Sequence, residues 1–184
     1  MCNAVATFFT FDMSKRRLYS DNKGINSFTT KLTIVGSTEW TTTYFDESSG
    51  EFWLQYVHEM QGDGTLTTHL MSLSPRPTLE ELIEIALNSS IDDEVSAAAS
   101  RLYKDEQEEN VEYRENLIAR LLEIEAQPLA ADEKDRIKLI IEKASLLHAI
   151  NIRPIVGKYY KEIMEDAASF NLTSRKAAEL LERL

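Results

Sequence analysis

The groups in this 184-residue chain that could do chemistry are three histidines, one cysteine and many carboxylates. His58-Glu59, Asp63 and His69 lie close together around the turn Gln61-Gly62-Asp63-Gly64, so a His/carboxylate metal cluster is conceivable there. Known ligand spacing is absent, since an HExxH site needs a second histidine where Gly62 stands. The plain alternative is a turn whose glycines take positive φ and whose polar residues satisfy it. The first reading makes the His58–His69 region a small hydrolase or metal-dependent enzyme. The second needs neither metal nor cofactor, and it is the one adopted. His148, among Leu146, Leu147 and Ile150, reads as a boundary residue of a helix.

Cys2 follows Met1 directly, and removal of Met1 would place a thiol beside a free amine, the pairing used by N-terminal nucleophiles. Asn3-Ala4-Val5 departs from the Cys-Gly start of glutamine amidotransferases, and nothing supplies an oxyanion hole. A small buried cysteine is the simpler reading. Phosphate-loop, dinucleotide and nucleophile-elbow motifs are missing. Paired carboxylates such as Asp92-Asp93 and Glu108-Glu109 fall at helix starts, where capping and the helix dipole explain them. No catalytic residue is assigned.

The elements that must hold these groups change character at Ser74-Pro75-Arg76-Pro77. Before it, β-branched and aromatic residues predict strands at Phe8–Phe11, Lys31–Val35, Trp40–Phe45, Glu51–Val57 and Thr65–Ser72. Asn22-Lys23-Gly24 reads as a break, and Asp46-Glu47-Ser48-Ser49-Gly50 as a hairpin turn. Phe52, Leu54 and Tyr56 alternate with Trp53, Gln55 and Val57, both sets largely apolar, so this strand is expected to be central and Trp53 buried against the helices.

After Pro77 the apolar period is helical. Thr78 with Glu81 predicts a capping box, and Ser90 with Asp93 a second N-cap. Helices are expected over 78–88, 92–103, 108–126 and 132–150, with Pro154 starting another through Tyr159, Tyr160, Ile163 and Met164. Thr173 or Ser174 should cap a last one. The fold class is therefore α+β: an N-terminal antiparallel β-meander (1–77) packed against about six acidic C-terminal helices (78–184), sharing one core.

Charge is concentrated. Between Thr78 and Asp135 the chain carries 17 of its 31 acidic residues against five basic ones, which accounts for essentially all of its net charge of −11. Such a field repels nucleic acid and anionic membranes and favours a basic protein partner. The residues singled out to meet that partner are Asp92, Asp93, Glu108, Glu109, Glu112, Glu115, Glu59 and Asp63. No apolar run is long enough for a transmembrane helix, and Lys15-Arg16-Arg17 follows the first apolar stretch where a secretory signal has its charge first. A cytoplasmic location is expected.

The stretch Trp40–Ser72 resembles the small immunity proteins of bacterial polymorphic-toxin systems. An aromatic strand ends in Asp46, a turn follows at Gly50, and Phe52-Trp53, Tyr56, Glu59 and Gly62-Asp63-Gly64 precede a final strand. About a fifth of the chain carries the resemblance. It implies a non-enzymatic, protein-binding inhibitor that neutralises a toxin, and many such toxins are basic nucleases.

Overall fold

The computed structural model describes residues 15–60, 62 and 65–184. The strand expected at Phe8–Phe11, Cys2, and Gln61, Asp63 and Gly64 of the turn lie outside the described residues. The architecture is α+β, with an antiparallel sheet in the N-terminal half and helices after it. Its strands are β1 (Leu18–Tyr19), β2 (Thr33–Ser37), β3 (Thr41–Asp46), β4 (Glu51–Met60) and β5 (Leu66–Ser72), in the order β1-β5-β4-β3-β2. Strands β2 to β5 are a meander, and the short β1 returns to the far edge beside β5. The β3–β4 turn is built as its composition demands. Asp46 accepts from the Ser48 amide at 2.9 Å and from the Ser49 hydroxyl at 2.8 Å, and Gly50 takes φ 73°.

One expected break is a helix. Asn22-Lys23-Gly24 opens α1 (Asn22–Thr29), because Asp21 caps it by accepting from the Gly24 amide at 2.7 Å and Ile25 is buried beneath. Helix α1 covers one face of the sheet, where Ile25, Trp53 and Leu70 form a small core edged by Tyr19 and Phe28. Trp53 is buried as expected, but against α1 and its neighbours rather than against the C-terminal helices.

The opposite face carries the main core. Leu18, Tyr56 and Met71 of the sheet join helices α2 (Leu79–Asn88), α3 (Asp92–Glu109), α4 (Arg114–Glu125), α5 (Ala131–Lys143) and α6 (Tyr160–Arg183) in one apolar cluster. The Thr78–Glu81 capping box forms in both directions. Several helix limits differ from expectation. Helix α4 starts at Arg114, so Glu108 and Glu109 end α3 rather than open a helix. Helix α3 starts after Ile91 without the side-chain cap expected from Ser90 and Asp93. It runs through Lys104–Gln107, where Lys104, Glu106 and Gln107 are good helix formers, and ends at Asn110 in the left-handed conformation. Helix α5 stops at Lys143, well short of Ile150, and Ser145 takes φ 48°. Helix α6 passes through Thr173 and Ser174, because the Thr173 hydroxyl donates back to the Ser169 carbonyl and the Ser174 hydroxyl donates to the Leu147 carbonyl. Pro154 lies in the irregular stretch between α5 and α6.

Candidate functional site

The segment 144–159 reverses the usual rule for chain outside helices and strands. It turns a charge inward and, past the buried Ala144 and Leu146, several apolar side chains outward. Arg153 is buried, and its guanidinium donates to Glu106 at 3.2 Å, Glu112 at 3.1 Å and Asp166 at 3.0 Å. Meanwhile Ile150, Ile155 and Val156 are exposed, and so are Tyr159 and Tyr160, which the periodicity assigned to a helix face; Val156 is 94% exposed and Tyr159 80%. Leu147, Met164 and Leu172 extend the same exposure along α6.

Beneath this segment lies an ion network that anchors it. Glu106 of α3 and Arg114 of α4 have fully buried side chains and pair at 2.7 Å. Arg114 also donates to the Ser145 and His148 carbonyls, at 3.0 and 3.3 Å, tying α4 to the irregular segment. Phe170 of α6 packs under the guanidinium of Arg114, 4.1 Å from ring centre to its carbon. Burial pushes the Glu106 carboxyl upward, and the two arginines pull it back toward ionisation. Asp166 feels burial first as well, but Lys158, at 2.6 Å, and Arg153 outweigh it and hold its carboxyl below the ordinary value.

Above the network, between α4 and α6, opens a cleft of about 640 Å³. Glu112 and Glu115 line it from the α4 side, and Glu162, Glu165 and Asp166 from α6. Of its three lining bases, Arg114, Arg153 and Lys158, each is already paired with a carboxylate. Two of the carboxylates, Glu115 and Glu162, lie in the first turns of α4 and α6, where the helix dipole stabilises acid. Glu112 precedes α4, and Glu165 and Asp166 lie further along α6. Of the five, Glu162 caps its helix by accepting from the Tyr159 amide at 2.6 Å; together they make a negative cleft close to the exposed Tyr159 and Tyr160.

Glu112 and Glu115 are thus brought together with three carboxylates that the sequence reading did not single out. The remaining candidates are elsewhere. Asp92 and Glu108 stand on one helix about 24 Å apart, at 1.5 Å per residue. Asp92 is exposed at the start of α3. Asp93 pairs with Arg16 and accepts from the Ser20 amide at 3.1 Å, fastening the β1 segment to α3. Glu109 pairs with Arg76 at 2.7 Å, joining α3 to the chain that leaves the sheet, and Glu108 pairs with Lys104 of its own helix at 3.0 Å. Glu59, at the exposed end of β4, borders a second cavity.

That second cavity contains the histidines. His58 is the extra residue of a β-bulge between Val57 and Glu59, which re-aims it along the strand. His58 and His69 stack with ring centres 4.2 Å apart and planes 13° from parallel. Imidazole lone pairs lie in the ring plane, so two stacked rings do not converge on one ion. Among the described residues no group of three or more His, Cys, Asp or Glu is placed to hold a metal. His148 is exposed. No helix among the described residues is long and apolar enough to cross a membrane. Comparison with protein-family models, curated proteins and solved structures gives no significant match.

Proposed function

We propose that the chain is a non-enzymatic protein-binding module, in its sharpest form a cytoplasmic immunity protein that neutralises a basic toxin domain. The inversion of segment 144–159 carries this reading. Leaving Ile155, Val156, Tyr159 and Tyr160 in water forgoes about 25 cal/mol for each Å² of apolar surface they would otherwise bury. Exposed apolar side chains near a charged rim are the usual composition of a protein interface, with tyrosines among its commonest energetic anchors. The neighbouring cleft supplies carboxylates for lysine or arginine side chains of the partner, and its own bases are already neutralised. The apolar side chains give affinity and the cleft gives sign.

The test is capture from a lysate of the native host at low salt, with wild type beside Tyr160→Asp. The expected result is a basic protein that wild type retains and the variant loses. Expressed alone it should arrest growth, and co-expression of the wild-type chain should relieve the arrest. A Tyr160-dependent partner that is acidic, or one that is harmless to the cell, overturns the reading.

A further inference from the structure

The cavity around the stacked histidines has a volume of about 660 Å³ and lies between the β4–β5 end of the sheet and helices α3 and α5. Its lining includes His58, His69, Ser100, Tyr103, Lys104 and Lys143. Two features set it apart from the rest of the molecule. The first is unsatisfied polarity: His69 is only 3% exposed, and among the described residues neither His58 Nδ1 nor His69 Nδ1 has a hydrogen-bond partner. Buried polar atoms without partners are uncommon and call for an explanation.

The second is the sign of the charge. The chain is acidic, yet the groups that face the imidazoles are mostly cationic. Lys104 and Arg101 come from α3 and Lys143 from α5, whereas Glu59 of β4 is the acidic group felt at His58. Lys104 and Lys143 are paired with Glu108 and Glu142, about half and 70% exposed, and Glu142 itself lines the cavity together with Glu59. Burial first, then these cations and the mutual repulsion of the rings, keep both imidazoles neutral, with His69 taken down to about 3.

We propose that this cavity is a binding site for a tetrahedral dianion, a phosphate group held by Lys104 and Lys143 with hydroxyl donors from Ser100 and Tyr103, in front of the stacked histidine pair. An anion there cancels the field that opposes imidazole protonation, so binding takes up a proton and strengthens as pH falls. No covalent step is involved. The site is separate from the α4–α6 cleft and stands whether or not that cleft binds a protein.

The probe for the pH dependence is sulfate, which stays doubly charged throughout the range and leaves any change to the protein. Histidine ring resonances are followed by NMR while sulfate is added at about pH 6 and about pH 7.5, on either side of an ordinary histidine midpoint. Saturable shifts at His58 and His69 are expected, with affinity at least about threefold greater at the lower pH. Lys104→Gln/Lys143→Gln should weaken binding about tenfold or more, roughly 1.4 kcal/mol. Inorganic phosphate and ribose 5-phosphate, compared at the higher pH, then separate the sources: tighter binding of the ester assigns a phosphorylated metabolite, and tighter binding of the free ion assigns phosphate itself. Because the wild-type titration stands alone, poor folding of the double variant does not leave the question open. Shifts that acetate or chloride reproduce equally, or no shift at either histidine, overturn the proposal.

Discussion

Two cavities among the described residues are of nearly equal volume but differ in the charge of their linings. The α4–α6 cleft is rimmed by carboxylates over a buried Glu106–Arg114–Arg153 network, and exposed apolar side chains lie near it. The histidine cavity sets lysines against two neutral rings, with Glu59 and Glu142 also in its lining. Local charge therefore does not follow the charge of the chain. In the cleft, α4 with the residues before it and α6 gather acid in one place. In the cavity, a bulge and a sheet–helix junction bring histidines and lysines together from different elements.

The comparison breaks first at the floor of the cleft. Arg114→Ala should leave Glu106 with one buried partner fewer and remove the packing over Phe170. The expected cost is about 3–5 kcal/mol in urea unfolding, as for other broken buried pairs. A loss below about 1 kcal/mol would mean that the network is solvated and that the cleft has no fixed floor.

The histidine cavity is tested by the pH dependence of stability. His69 is neutral in the fold, with its midpoint taken down to about 3, whereas the unfolded chain takes up the proton near the ordinary value of about 6.5. The unfolded state therefore binds more protons between these values. Stability is fully present above about pH 6.5 and falls as the pH falls toward about 3, by up to about 1.4 kcal/mol per pH unit for one such proton. Between about pH 6.5 and 5, before the carboxylates protonate, the slope should be clearly smaller in His69→Asn than in wild type. Equal slopes would show that the ring titrates freely and that the cavity lacks a positive field.

The smallest effects concern the rim. Glu112→Gln/Glu115→Gln/Glu162→Gln should slow association with a basic partner about threefold to tenfold at low salt and flatten its salt dependence, with stability changing by about 1 kcal/mol or less. Asp92→Asn should slow association less than any one of the three, because Asp92 is carried at the far end of α3. Stopped-flow rates at low and high salt measure both. If Asp92→Asn matches the triple variant, steering belongs to the charge of the whole chain, and the cleft loses its special place.

Sequence by itself determined the alternation that makes Glu51–Met60 a central strand, the Asp46–Gly50 turn, the Thr78–Glu81 cap and most of the inward helix faces. These depend on neighbours a few residues away, whose sterics and hydrogen bonds act in any context. It also determined that acid would dominate 78–135, and it pointed to Glu112, Glu115 and the His58–His69 region. What it could not fix was company. Asp93 and Glu109 look like free carboxylates until Arg16 and Arg76 arrive from far along the chain. Glu162, Glu165 and Asp166 look like ordinary carboxylates of one helix until α6 is laid beside α4. The sequence pattern expected a helix from Pro154 through Tyr159, Tyr160, Ile163 and Met164, and such a pattern does not say whether its apolar residues find a cover. Only the tertiary structure decided that Arg153 would take the inside position and leave Tyr159, Tyr160 and Met164 out. Its guanidinium, once desolvated, is held by three carboxylates from three separate segments, and no local pattern encodes that meeting.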